Sequence, residues 1–151
     1  RNSSRTRRSA SWKDAMRAAR ASLRARLTRV GEAKTTQQHG LVFSGTPGGD
    51  WMAVSLDKSG KLVLRRMLVS AGGGAKDEGV SVINLKNPPA MEQPFDLKVH
   101  VFLSGDIEVS VGDEGQFPLH LPLTLPTTGY VGVYVKNGSL LVENPIVEIM
   151  P

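Results

Sequence analysis

The sequence predicts a mainly β protein, an antiparallel β-sandwich preceded by one amphipathic α-helix. From residue 41 onward the chain carries about eight to ten short apolar segments, several with strict apolar and polar alternation. Turn-forming residues separate these segments, and the chain contains 16 Gly and 9 Pro. Before residue 35, in contrast, apolar residues recur at helical spacing among many arginines. We therefore divide the chain into a basic N-terminal arm, residues 1–34, and a sandwich domain, residues 35–151.

Composition narrows the classes of function. The 151 residues suffice for one domain with a hydrophobic core, and because only 5% are aromatic the core must consist of Val, Leu and Ile. The chain contains no Cys, which excludes disulfides, thiolate zinc sites and thiol catalysis. No apolar run reaches the ~18 residues of a membrane span. These features favour an intracellular or organellar protein over a secreted one.

The predicted helix covers residues 11–30. On a helical wheel, six residues form one apolar stripe: Trp12, Met16, Ala19, Leu23, Leu27 and Val30. Ser11 is a suitable N-cap, and Gly31 is a natural stop after the last residue of the stripe. We interpret Trp12, Met16, Leu23, Leu27 and Val30 as an apolar docking stripe that contacts a partner or the sandwich.

The charge of the chain is concentrated in the arm. Residues 1–34 hold eleven Lys or Arg against two acids, while the remaining residues carry a net charge of −4. The predicted anion-binding residues are Arg5, Arg7, Arg8, Lys13, Arg17, Arg20, Arg24, Arg26 and Arg29. Such an arm would bind RNA, an anionic membrane or an acidic surface of a larger protein or ribonucleoprotein assembly.

Strands are predicted at residues 41–43, 51–56, 62–69, 80–85, 95–103, 107–111, 117–125, 130–135, 140–143 and 147–150. The alternation is clearest at 95–103, where Phe95 and every second residue after it share one face. The Asn137-Gly138 pair predicts a hairpin, and the glycine-rich residues 71–79 predict a flexible loop. Pro118 and Pro122 indicate an edge strand.

Four segments carry a resemblance to a known fold: residues 94–99 (PFDLKV), 105–111 (GDIEVSV), 128–135 (TGYVGVYV) and 140–149. In this order they resemble the concanavalin A-like β-sandwich, a jelly roll of the laminin G, galectin and pentraxin type. The galectin His-Asn-Arg set, its Trp-Glu pair and the Glu-x-Asp-x-x-Glu of sandwich glycosidases have no counterpart in the sequence. The resemblance therefore implies the fold but neither sugar binding nor catalysis. By layout alone, the chain is also similar to viral jelly-roll coat proteins.

No residue set indicates catalysis or a cofactor. His39, His100 and His120 lie far apart in the sequence, without metal-ligand spacing. Asp106 and Glu108 share a strand face, an arrangement that paired-acid glycoside hydrolysis could use, but alternating solvent-facing acids are the favoured explanation. Asp113 and Glu114 lie in a glycine-flanked loop, which in laminin G domains is a place for Ca²⁺, but one short acidic loop is too little to predict a site. We expect no bound metal.

The leading hypothesis is a non-catalytic structural or accessory subunit that docks into a larger assembly through its basic helix. One alternative is a lectin-like carbohydrate-binding module. A second alternative is a small capsid-type protein whose basic arm binds RNA. An enzyme is the least favoured class.

Overall fold

A computed structural model describes residues 19–32, 36–45, 49–102, 106–119 and 131–149 of the chain. The described residues form ten strands. These are β1 (Ala19–Val30), β2 (Gln38–Gly45), β3 (Trp51–Asp57), β4 (Lys61–Val69), β5 (Ala75–Asn84), β6 (Phe95–Phe102), β7 (Ile107–Val111), β8 (Glu114–Leu119), β9 (Gly132–Lys136) and β10 (Ser139–Ile149). None of these residues belongs to a helix that is long and apolar enough to cross a membrane.

The strands form two five-stranded antiparallel sheets. The first sheet has the order β10-β1-β6-β7-β8, and the second has the order β5-β4-β3-β2-β9. One apolar core lies between them, with side chains from both sheets that include Leu27, Leu97, Leu56 and Leu64. The predicted β-sandwich is thus confirmed, and its core is built mainly from Leu and Val.

The predicted helix is wrong for residues 19–30, which form strand β1. This strand pairs with β6 on one side and β10 on the other, so it is an inner strand of the first sheet. Leu23, Ala25 and Leu27 face the core at every second position, and Arg24 and Arg26 face outward between them. These twelve residues, assigned to the arm by sequence, are part of the sandwich. Residues 11–18 of the predicted helix lie outside the described part of the chain.

Two further predictions are corrected. The Asn137-Gly138 turn does not close a hairpin, because β9 pairs with β2 in the second sheet and β10 pairs with β1 in the first. The turn instead carries the chain from one sheet to the other. The flexible loop at 71–79 is shorter than predicted, since β5 begins at Ala75. Pro118 lies in β8, the last strand in the described order of its sheet, as expected for an edge strand.

Arg29 connects three parts of the chain at one end of the sandwich. Its side chain is only 2% exposed, because the alternation in β1 points it inward after Leu27. Its Nη1 group donates to the carbonyl oxygen of Asp57 at 2.9 Å, and its Nη2 group donates to that of Pro89. The Arg29 carbonyl in turn accepts a hydrogen bond from the amide of Glu92 at 2.8 Å. The buried cation therefore fixes β1, the end of β3 and the loop before β6.

His39 is buried beside this cation. It is fully buried on β2, and neither ring nitrogen has a hydrogen-bond partner. Burial lowers the pKa of His39, and the positive charge of Arg29 lowers it further. The ring also lies close to Gly138, where a Cβ would come within 2.7 Å of His39 Nε2. The folded protein therefore holds this imidazole in its neutral form.

We expect Arg29→Ala to lower the free energy of unfolding by about 2–4 kcal/mol, because two carbonyls lose charge-assisted hydrogen bonds inside the protein. Arg24→Ala is the matched control from the same strand, and it should change stability by no more than about 0.5 kcal/mol. Urea denaturation measures both values. Equal losses in the two variants would contradict the inward and outward alternation of β1.

We expect acid to destabilise the fold through His39. Its pKa is lower in the folded than in the unfolded chain, so its contribution is complete above the unfolded pKa of about 6.5. That contribution is lost as the pH falls toward the folded pKa, by at most about 1.4 kcal/mol per pH unit. His39→Met should flatten the decline in unfolding free energy between about pH 6.5 and 5. Burial and the charge of Lys98 also lower the pKa of His100, while Glu108 and Glu148 raise it. His100→Gln should flatten the decline less, because His100 is only half-buried whereas His39 is fully buried.

Candidate functional site

The side of the second sheet that faces away from the core carries the candidate site. Along β3, Met52, Val54 and Leu56 belong to the core. Since side chains alternate along a strand, Trp51 and Ser55 lie on the opposite side, which we call the outer face of the second sheet.

Two aromatic rings meet on this outer face. The ring centroids of Trp51 and Tyr134 are 5.4 Å apart, and their planes are inclined at 55°. The Tyr134 hydroxyl donates to Gln38 Oε1 at 2.6 Å, which fixes the ring. Burial raises the pKa of Tyr134, so the phenol keeps its proton at neutral pH. The pair provides a half-buried apolar surface with polar groups at its edge.

A charged pair lies on the same outer face. Arg65 Nη1 donates to Asp77 Oδ2 at 2.7 Å, and Arg65 Nε donates to Ser55 Oγ at 3.0 Å. The side chains of Arg65 and Asp77 are 12% and 28% exposed, so both are partly shielded from water. Their charges act on Tyr134 with opposite sign, Arg65 lowering and Asp77 raising its pKa. The aromatic and charged pairs therefore belong to one surface, and its local charge is balanced.

A β-bulge in β5 brings Asp77 to this surface. Leu64 pairs with Ser81, but Arg65 pairs with Gly79, so Val80 is an extra residue in β5. A strand without this residue would place Asp77 on the core side, because a shift of one residue exchanges the two faces. The bulge thus allows Arg65 to bind a carboxylate on the neighbouring strand.

The structure separates the residues that the sequence grouped into the arm. Leu23 and Leu27 are buried in the core, where they cannot dock on another molecule, whereas Val30 is 41% exposed. Arg24 and Arg26 face outward on the first sheet, and Arg29 binds internal carbonyls in place of the external anion that the sequence predicts. Arg20 lies in β1. Arg5, Arg7, Arg8, Trp12, Lys13, Met16 and Arg17 lie outside the described residues.

The other candidate residues do not form a site. His39 is buried, His100 lies on the first sheet with its ring 6.5 Å from that of Phe102, and His120 is outside the described residues. Glu114 Oε1 accepts a hydrogen bond from the amide of Asn87. In the described ranges, no group of three or more His, Cys, Asp or Glu residues is arranged to hold a metal ion.

Sequence reasoning missed the cluster of Trp51, Arg65, Asp77 and Tyr134. One signal was available, because the chain has only two Trp and two Tyr, and Trp51 and Tyr134 both fall in predicted strands. The alternation in β3 also placed Trp51 opposite the core residues. The sequence did not indicate that these two strands lie close enough for the rings to touch.

Comparison with known proteins supports the same fold. No protein-family model and no curated protein matches the chain. Among solved structures, sheep galectin-11 in complex with glycerol has a TM-score of 0.63 and 14% identity, covering 85% of this chain and 89% of the other. The carbohydrate-binding module CBM66 from Bacillus subtilis has a TM-score of 0.58 and 12% identity, with coverages of 86% and 75%. Congerin II with lactose and MES has a TM-score of 0.56 and 12% identity, with coverages of 88% and 93%. The chain therefore has the galectin-type, concanavalin A-like fold.

Gly40 lies next to Tyr134 in the second sheet, at a position that has no room for a side chain. It lies between Tyr134 and Ser55 in cross-strand register, and a Cβ there would be 1.8 Å from the carbonyl oxygen of Val54. We expect Gly40→Ala to lower the free energy of unfolding by about 1–3 kcal/mol through overpacking. Gly79→Ala on β5 is the control, because nothing lies within 4 Å of a Cβ at that position. Thermal unfolding measures the stability of both variants. Equal stability of the two would be evidence against a tight contact between residue 40 and the Val54 carbonyl.

Proposed function

We propose that the chain is a lectin-like carbohydrate-binding domain, with its site on the outer face of the second sheet. The observation that carries the proposal is that the Trp51–Tyr134 ring pair and the Arg65–Asp77 ion pair share this face. The likeness to galectins and to a carbohydrate-binding module supports it, since those proteins share the fold.

The chemistry of the face suits a sugar. A pyranose presents C–H groups on its ring faces and hydroxyl groups around its edge. The C–H groups would pack on the apolar surface of the Trp51 or Tyr134 ring. The hydroxyls would bind the Asp77 carboxylate, which accepts hydrogen bonds, and the Arg65 guanidinium, which donates them. Binding sites for small ligands usually combine an apolar surface with a few well-placed polar groups, as this face does.

The balanced charge of the face favours a neutral sugar. Asp77 already neutralises Arg65 at 2.7 Å, so an acidic ligand would gain little net attraction and would approach a carboxylate. Binding rather than catalysis is proposed, because the ion pair beside the rings supplies one carboxylate, Asp77, whereas glycoside hydrolysis uses a pair of them across the scissile bond.

This proposal replaces docking through a basic helix as the leading function. The strand conformation of Ala19–Val30 removes the second half of that helix, and Leu23 and Leu27 of its stripe are internal. The basic residues before residue 19 remain a predicted contact for RNA or for an assembly, outside the described part of the chain.

An array of neutral oligosaccharides tests the proposal, with the full chain as the probe. We expect Trp51→Ala and Asp77→Asn each to weaken the best ligand tenfold or more in isothermal titration calorimetry, because each variant removes one of the few anchors that the proposal assigns to the sugar. Trp51→Phe should retain part of the affinity, and it also guards against a misfolded alanine variant. Affinity should change little between low and high salt, since no net charge is neutralised.

Lys58→Gln, in the exposed turn between β3 and β4, is the matched control and should bind as the unmodified chain does. Silence across the array would remove the proposal. So would a ligand whose affinity is the same for Trp51→Ala, for Asp77→Asn and for the unmodified chain.

A further inference from the structure

The first sheet also has an outward side, and its charges follow a pattern that the proposed sugar site does not explain. Across this sheet, Ile146, Arg24, Lys98 and Ser110 are direct cross-strand neighbours and form one row. Arg24 and Lys98 face each other on adjacent strands. Like charges placed directly opposite each other destabilise a sheet. The row contains two adjacent cations and no acid among its described side chains.

Acids occupy the two flanking rows instead. In one of these rows Arg26 Nε lies 3.2 Å from Asp96 Oδ1, and Glu143 adds a favourable charge. In the other, His100 lies opposite Glu108 and is also influenced by Glu148. Residues on one face of a strand are spaced by about 6.6 Å, so these acids are one row away from Arg24 and Lys98. Arg26 therefore has a countercharge, whereas Arg24 and Lys98 have no carboxylate oxygen within 4 Å among the described residues.

A groove lies over this row. It has a volume of about 530 Å³, and its lining includes Arg24, Lys98, Ser110, Asn144 and Ile146. The Arg26–Asp96 ion pair of the flanking row also lines it. An irregularity in β10 opens the groove, because the register with β1 shifts between Arg24 and Arg26. Asn144 has a φ of 50° at this point, a left-handed conformation that asparagine tolerates. The groove thus brings the two cations of the central row together with a hydroxyl, an amide and an apolar side chain, beside an arginine and a carboxylate that neutralise each other.

We infer that this groove binds a single oxyanion group, a sulfate or phosphate ester, between Arg24 and Lys98. Both side chains donate hydrogen bonds to oxyanions, and the guanidinium can donate two at once. The Ser110 hydroxyl and the Asn144 amide supply neutral donors beside them. A volume of this size accommodates the organic group that carries the ester. The inference goes beyond the proposed sugar site and does not rest on it.

The flanking acids determine which anions fit. Nucleic acid presents a charge about every 1.7 Å of duplex, and an anionic membrane presents a continuous charged surface. Either would bring negative charge onto Asp96, Glu143, Glu108 and Glu148 as well as onto the central row. One isolated oxyanion can lie between Arg24 and Lys98, one row away from the Asp96 carboxylate, whose charge Arg26 already neutralises. The ligand is therefore a small ester, or a chain whose charged groups are widely spaced.

Titration of the full chain with sodium sulfate and with sodium phosphate, each against sodium chloride at equal ionic strength, tests the inference. We expect nuclear magnetic resonance shifts that saturate at the Arg24 and Lys98 side chains with both oxyanions. Glucose 6-sulfate and glucose 6-phosphate then distinguish the two esters. Arg24→Gln and Lys98→Gln should each weaken binding about tenfold, while Lys58→Gln should leave it unchanged.

A second measurement, the melting temperature Tm, begins with the chain in the absence of any ligand. Without any ligand, Arg24→Gln should raise Tm slightly, because it removes the repulsion from Lys98. It should also abolish the additional rise in Tm that sulfate produces over chloride in the unmodified chain. An equal response to sulfate in Arg24→Gln, Lys98→Gln and the unmodified chain would overturn the inference. Binding that appears only with heparin or RNA would overturn it too. The neutral-sugar experiment is unaffected by either result, because its variants lie on the other sheet.

Discussion

The antiparallel pairing of β1 on both of its edges is the interaction on which the rest of the structure depends. β1 joins β10 to β6, so without it the first sheet would separate into one strand and a three-stranded piece. Its alternation contributes Leu23 and Leu27 to the core and turns Arg24 outward. At its end Arg29 holds the neighbouring turn and loop through their carbonyls. One strand therefore supplies part of the core, closes one end of the sandwich and carries half of the proposed anion site.

The same strand shows why the fold class could be predicted when one element could not. Leu23 and Leu27 are four residues apart, and a spacing of four places residues on one side of either a helix or a strand. Ala and Arg between them have high helix propensity, so the local sequence favoured a helix. Pairing with β6 and β10 outweighs that preference, because it satisfies backbone groups and buries the inward face together. The strands after residue 40 were predictable because β-branched residues and turns agree with the alternation there.

The candidate site was beyond prediction for a different reason. Its residues come from strands β3, β4, β5 and β9, and no local pattern determines which of these strands are neighbours. The Asn137-Gly138 turn illustrates the difficulty, since it reverses the chain but joins strands of different sheets. The position of Asp77 depends in addition on a single extra residue, Val80. Register and sheet order are properties of the whole fold, so the site became visible only once both were known.

The positive net charge of residues 1–34 suggested a polyanion as partner. Whether a given cation can bind an external anion depends, however, on whether a neighbouring group in the fold already neutralises it. Arg29 is bound by carbonyls, Arg26 by Asp96 and Arg65 by Asp77, so these three charges are engaged within the fold. Arg24 and Lys98 face each other without such a partner among the described residues, at a cost in stability that the sheet does not require. Residues that lower stability without a structural return are expected at functional positions. The balanced face and the unbalanced row are therefore the grounds on which we propose two different ligands, one neutral and one anionic, on opposite sides of the same sandwich.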